Sequence, residues 1–409
     1  MRPWRWLLLT LGLLLSLNAS ARVALYEGDD VQLYYGGYVR SLTSWQSVDE
    51  GASFLYQANG FDPESFALQS IIARSEIKFS ALDLLTLELH GRYALTFATE
   101  PIFTGGGLIG AGAGVSQPPT RSLDLSAFLW DSPKGRFETD VDRLVLRFYL
   151  GDADLSIGRQ AITWGNSTLF SVSDIWSSFS PFDLDTSQKR GTDAIRAVWA
   201  LNQSVELDFI LADRGSVEDL SGGIRALFYL SFGELYVGAA KTYEDVALGL
   251  GLSADIHTVK LRGEVMGRYD TERSEFELPR ATLGVDWFYS DAFMWGVELH
   301  LNGFGTLAES DAEYVSHVAS EGALLRGEGY LMGLAYAGTY LSYRPHDLVT
   351  LSTSALVNLL DPSALLNWAL NWEVLESVDL SMGAYHGLGS GFEFGLSGHM
   401  IYLQVAAYF

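Results

Sequence analysis

The sequence predicts an all-β fold, a transmembrane antiparallel β-barrel of about 18 strands with one extracellular loop folded inward. Three observations carry that expectation. Apolar and polar residues alternate with period two over runs longer than globular strands usually reach. Very short turns alternate with longer connections. Beyond the N-terminus, no segment offers the apolar run that a membrane helix needs.

The first residues read as an export signal. Arg2 and Arg5 form a charged start, Trp6 to Leu17 an apolar core, and Ala19-Ser20-Ala21 a small-residue cleavage site. The expected division is residues 1–21 as signal and 22–409 as barrel, with a short extension around Glu27–Asp30. Cleavage would remove two arginines and no acid, taking the formal charge from -24 to -26. So acidic a chain is a poor partner for nucleic acid, which requires a basic surface. With no cysteine, disulfides and thiolate metal sites are excluded. Phe, Tyr and Trp make up 13% of the chain, a share that suits two membrane–water interfaces.

The strand runs follow in order. Leu85, Leu87, Leu89, Tyr93 and Leu95 alternate with Glu88, His90 and Arg92. Leu144, Leu146, Phe148 and Leu150 oppose Arg143 and Arg147. Val205, Leu207, Phe209 and Leu211 oppose Glu206 and Asp208. Val259, Leu261 and Val265 oppose Lys260, Arg262, Glu264 and Arg268, and Phe293 to Asn302 repeats the pattern. One face is oily and the other ionised, as a barrel with lipid outside and water inside requires.

Short turns are expected at Ser80–Asp83, Gly151–Asp152, Asn202–Gln203, Phe232–Gly233, Asp255–Ile256, Ser290–Asp291, Arg344–His346 and Leu375–Ser377. Eight such turns, with both termini on the same side, imply nine hairpins and hence 18 strands; sixteen is the alternative. The closing IYLQVAAYF alternates up to Phe409, similar to the C-terminal signal that the barrel-insertion machinery reads. Outer-membrane lipid and lipopolysaccharide are the other expected partners.

A barrel this wide encloses an aqueous channel unless it is plugged. Parity assigns nine bases to its interior (Arg74, Lys78, Arg92, Arg143, Arg147, Arg196, Lys260, Arg262, Arg268). It assigns seven acids (Glu76, Glu88, Glu206, Asp208, Glu264, Asp286, Glu298). That small positive excess favours small polar or anionic solutes, saccharides among them; the alternative is that the charges only pair across the wall.

One stretch breaks the alternation. GRQAITWGNSTLFSVSDIWSSFSPFDL, from Gly158 to Leu184, crowds aromatics with Ser, Asp and Pro between strands expected at Asp154–Thr163 and Thr192–Leu201. A loop carrying Trp164, Phe170, Trp176 and Phe179 cannot stay in water at low cost, so residues 164–191 are expected to fold into the lumen as a constriction. The competing reading packs the loop against the rim or a partner. The candidate pore-lining and constriction residues are Arg159, Trp164, Asp174, Trp176, Phe179, Asp185, Arg190, Asp193 and Arg196, with Arg143, Arg147, Lys260 and Arg262 on the wall. Parity would turn Arg159 towards lipid, at a cost of roughly 2–4 kcal/mol. Either Arg159 lies near the rim or a bulge beside Gly158 turns it inward; it is expected to point to the lumen side and bond an acid of the loop.

The segment Gly158-Arg-Gln, Trp164-Gly, Asp174, Pro181 and Arg190-Gly-Thr-Asp-Ala-Ile-Arg196 resembles a broad group of Gram-negative outer-membrane porin-like barrels. Its Gly-Arg-Gln opening is also distantly similar to alginate-export-type channels. The resemblance covers about forty residues and implies a channel, with polysaccharide export as one alternative. An adhesin or structural barrel using its acidic loops as contacts is the other, and trimming the Gly-rich loop Pro101–Pro119 would discriminate it. No nucleophile-bearing motif accompanies any of the seven histidines, so no enzyme activity, catalytic residue, cofactor or metal is expected.

Overall fold

A computed structural model describes residues 22–48, 64–103, 120–177, 188–271, 273–307 and 310–409. The expected signal at 1–21 lies outside them, as do Phe179 and Asp185.

The chain opens with β1 (Val23–Glu27), β2 (Val31–Ser47), β3 (Ser65–Ala81), β4 (Leu85–Ala98), β5 (Ser126–Ser132), β6 (Gly135–Tyr149) and β7 (Ala153–Gln160). It continues through β8 (Thr192–Asn202), β9 (Val205–Ala212), β10 (Ser221–Leu230), β11 (Gly233–Thr242), β12 (Asp245–Ile256), β13 (Val259–Asp270) and β14 (Glu275–Phe276). Then come β15 (Arg280–Ser290), β16 (Phe293–Leu301), α1 (Asp311–Ser320), α2 (Gly322–Leu325), β17 (Ala335–His346), β18 (Val349–Asn358), β19 (Ser363–Leu375), β20 (Val378–Gly389), α3 (Phe392–Gly395) and β21 (His399–Tyr408).

All strands join one antiparallel sheet. β1, β5 and β14 are short additions at its margins, and the remaining 18 strands form the wall. Each wall strand pairs with the next. The circle closes between β2 and β21, from Tyr38 opposite Tyr408 to Gln46 opposite Met400. Closure leaves the wall without a free edge, which is what lets a sheet cross lipid. Phe409 completes the seam, exchanging backbone bonds of 2.8 and 3.0 Å with Gly37.

The eight tight turns overlap or adjoin the stretches expected for them, and all lie at one end of the barrel. At Gly151 the backbone takes φ +77°, a conformation glycine adopts without a Cβ clash. The other end carries two-residue turns at 133–134 and 243–244 and the longer connections, including 161–191 and the segment 302–334 that holds α1 and α2.

The alternation becomes a two-sided wall. Leu248 is 64% exposed on β12, Leu283 68% on β15 and Trp368 44% on β19, all on the outward face. A soluble sheet would bury such residues; as a continuous outer belt they suit hydrocarbon. The inward face holds Arg74, Asp208, Glu264, Arg268, Asp286 and Glu298, all buried. Register also turns Glu138, Asp140, Glu234, Asp245, Asp255 and Asp270 inward, against Arg40, Arg225 and Arg280. These acids outnumber the added bases, and the positive excess expected for the lumen disappears. The long alternating runs had shown only part of the lining.

Two local expectations change. Strand β7 stops at Gln160, three residues before the expected end at Thr163. Beyond it, β5 takes over the edge of β6: β6 pairs with β7 from Leu144 to Tyr149 and with β5 from Gly135 to Asp140. Nor is there a bulge beside Gly158, because β7 pairs without a register shift on both sides. The irregularity falls on β6, between Val141 and Arg143.

Candidate functional site: the loop across the lumen

The wall begins to open at Arg159. By register it shares the outward face with Leu144, yet it is 2% exposed. It sits in the seam where β7 ends and residues 120–125 begin to cover β6. Its guanidinium donates to Asp193 at 2.6 and 2.9 Å, to the Val141 carbonyl at 2.7 Å and to the Leu123 carbonyl at 2.5 Å. Asp140 lies 3.5 Å away. Both acid partners belong to wall strands, β8 and β6, and not to the loop as expected. The charge therefore meets neither lipid nor open lumen. Gly158 allows this geometry: its φ is +116°, and a Cβ there would lie 2.2 Å from the Leu144 carbonyl oxygen. Arg121 fills the rest of the seam, bonding the Gly191 carbonyl at 2.8 Å and Asp140 at 3.2 Å.

From Ala161 the chain leaves the wall and crosses to the opposite side. Irregular backbone inside a barrel lacks ladder partners, so its N–H groups need other acceptors. Two wall carboxylates supply them. Glu264 on β13 accepts from the backbone N–H of Asn166, and from Ser167, Val172 and Ser173 at 3.0 Å each. Glu298 on β16 accepts from Thr168 at 2.7 Å, Leu169 at 2.9 Å and Phe170 at 3.0 Å. Glu264 is 2% exposed and Glu298 fully buried. Arg262 braces the arrangement, donating to the Asn166 carbonyl at 2.9 Å and to Asp286 at 2.7 Å, with Glu298 at 3.4 Å.

Aromatic side chains fix the loop on the arc from β8 to β17. Trp164 donates from Nε1 to Asp208 at 2.8 Å. Arg196 grips the same carboxylate with two bonds of 2.8 Å, and Arg225 approaches it at 3.3 Å. Trp164 meets Trp176 edge to face at 5.2 Å, within an apolar cluster that includes Ile162, Val172, Ile175, Ile210 and Met266. Trp176 is 1% exposed, and its carbonyl accepts from Thr192 at 3.0 Å. At the far tip, Phe170 stacks on His300 at 5.0 Å and joins Tyr336, Tyr385 and Phe394.

The returning limb is tied back in turn. Lys189 bonds Asp174, and Thr163 at 2.9 Å. Burial pushes the Asp174 carboxyl up to about 6, against the pull of Lys189. Arg143 donates to the Lys189 carbonyl, and Arg190 lies 3.6 Å from Glu138.

The structure thus gathers Arg143, Arg159, Trp164, Asp174, Trp176, Arg190, Asp193, Arg196 and Arg262 at or beside the crossing loop. Arg147 stands apart, paired with Glu88 at 2.9 Å. Lys260 occupies an inward position of β13 opposite Asp286, with no hydrogen bond or ion pair among the described residues. Sequence reasoning had placed Glu264 and Glu298 in the lumen without giving them a role. Their partners are backbone amides, which leave no mark in a sequence.

A second cap lies over the same end. Glu393 of α3 accepts from Tyr336 Oη at 2.6 Å, the Met332 N–H at 2.7 Å and Asn358 Nδ2 at 2.8 Å. It thereby joins the 302–334 connection to β17 and β18. Burial pushes its carboxyl up to about 7.

No family model matches the chain, and no curated protein matches it. Solved structures do. OccD3 of Pseudomonas aeruginosa superposes with a TM-score of 0.53 and 9% identity, over 95% of this chain and 93% of that one. OccAB3 of Acinetobacter baumannii gives 0.53 and 10%, covering 92% and 99%. OccK5 of Pseudomonas aeruginosa gives 0.52 and 8%, covering 91% and 97%. At such identities the likeness is one of fold: nearly the whole chain follows the path of these barrels.

Proposed function

We infer that the chain is a porin-like channel of the outer membrane, passing small polar solutes without a catalytic step, and that the loop at 164–191 narrows its lumen. One observation carries this reading. A closed barrel with an oily outer belt and an ionised interior is crossed by a loop whose bonds run to the inner wall rather than to the rim. The fold likeness to the Occ barrels supports it. In this reading residues 1–21 direct export and are removed, and the C-terminal strand ending at Phe409 is what the insertion machinery reads.

The test is single-channel recording in planar bilayers, with and without residues 171–177. The intact protein should give stable steps, and the shortened loop larger ones. A barrel that gives no steps would overturn the channel reading. Equal conductance after the deletion would overturn the constriction.

A further inference from the structure

The lumen wall is not uniform around its circumference. From β3 to β16 the inward face carries most of the ionised groups, many of them committed to one another: Arg74 to Asp142, Arg147 to Glu88, Arg196 to Asp208 and Arg262 to Asp286. From β18 to β21 the inward face is different. Thr350 on β18 stands opposite Asn371 on β19, Asn371 opposite Ser381 on β20, and Ser381 opposite Gln404 on β21. These four side chains form one uncharged polar row across four strands. Ser352 and Ser354 extend it towards the loop end of the barrel. The alternate residues, among them Leu351, Trp372, Met382 and Ile401, are exposed on the outward side, which confirms the direction of the row.

Two facts make the row more than filler. Asn371 is exposed although it faces inward, so it meets the water at the tight-turn end of the lumen. The side chains of Thr350, Ser352, Ser354 and Gln404 have no hydrogen-bond partner among the described residues. Ser381 donates to Asn371 Oδ1 at 2.7 Å, which leaves the Asn371 amide nitrogen uncommitted. This arc therefore offers the lumen neutral donors and acceptors, while much of the ionised arc is internally paired. Charge returns one rung towards the tight-turn end, as Glu373 opposite Asp379, with Arg40 of β2 beyond Ala406 on the same rung; two acids against one base leave a negative excess there, which disfavours anions.

We propose that this uncharged arc is the contact track for neutral, polyhydroxylated solutes, small saccharides being the chemical class, which exchange hydrogen bonds with its hydroxyl and amide groups in place of water. The proposal rests on the channel reading above and names what that channel favours.

Proteoliposome swelling with glucose and with gluconate, matched in size and differing in charge, tests it. The wild-type protein should admit glucose several-fold faster. The variant T350V/S381A/Q404L should lose about tenfold in glucose rate, as expected for two hydrogen bonds lost along the track, while potassium chloride conductance in planar bilayers stays within about twofold of wild type. Gluconate entering as fast as glucose in the wild-type protein overturns the proposal, whether or not the variant folds. So does an unchanged glucose rate in a variant that conducts normally. Conductance steps without the glucose preference would leave the channel standing and remove only its specificity; absence of steps removes both.

Discussion

Replacing Glu264 with Ala is the perturbation that addresses the loop most directly. The carboxylate accepts four backbone N–H groups of the crossing segment, at 166, 167, 172 and 173. Taking about 1 kcal/mol net for each bond, the loss is about 4 kcal/mol. Since 1.4 kcal/mol is a factor of ten, the ratio of docked to released loop should fall by about a thousandfold. Lumen water can satisfy some of the freed donors, so this is an upper figure. Glu264→Gln keeps one acceptor oxygen and should show a smaller effect. Hydrogen exchange at residues 166–173 is the direct assay, with current noise in planar bilayers as the functional one. The substitution should raise both, and Glu298→Ala should do the same for residues 168–170. If the double substitution leaves exchange and noise as in the wild type, the two carboxylates do not hold the loop and the anchoring argument fails.

Other outcomes follow from the same geometry. Arg159→Ala strands the Asp193 carboxylate in the seam, while Asp140 keeps Arg121, and should cost about 3 kcal/mol, read as a lower urea midpoint in detergent micelles. Trp164→Phe removes one bond to a carboxylate that Arg196 still holds, for a cost of about 1–2 kcal/mol by the same measurement. Glu393, raised to about 7, prefers its proton in the folded cap. The cap's stability should therefore be greatest below the ordinary glutamate range, decline as pH climbs towards 7, and level off above it. Limited proteolysis of the 302–334 connection between pH 5 and 8 should show this, and Glu393→Gln should flatten the profile. Leu283→Arg, on the outward belt, should cost about 2–4 kcal/mol on insertion into vesicles if β15 is set with that position near mid-membrane.

The wall was legible because two sides of a strand meet two solvents, and that difference is written into every second residue. The tight turns were legible because few residues suit them. Strand β5 was not: seven residues, Ser126 to Ser132, sit at a margin where neither solvent imposes a pattern. The interior was half legible. Parity found Glu264, Glu298 and Arg262, and the aromatic crowding pointed to a loop that had to leave water. The partners could not be read, because Asn166 through Ser173 bond through their amides and not their side chains. Arg159 failed for a related reason. Its place depends on residues 121–123 filling the gap above β7, a contact between segments that share no periodicity.

The substitution of β5 for β7 bears on the path of the chain. β5 and β6 are neighbours in sequence, joined by a two-residue turn at Pro133 and Lys134, so their pairing is as local as that of β6 with β7. With the upper margin of β6 paired to β5, only its lower part is left to β7. The chain that follows has no sheet left to climb and is deflected inwards. Lengthening β7 would then not be enough to straighten the crossing segment; the hairpin that precedes it would have to be removed first.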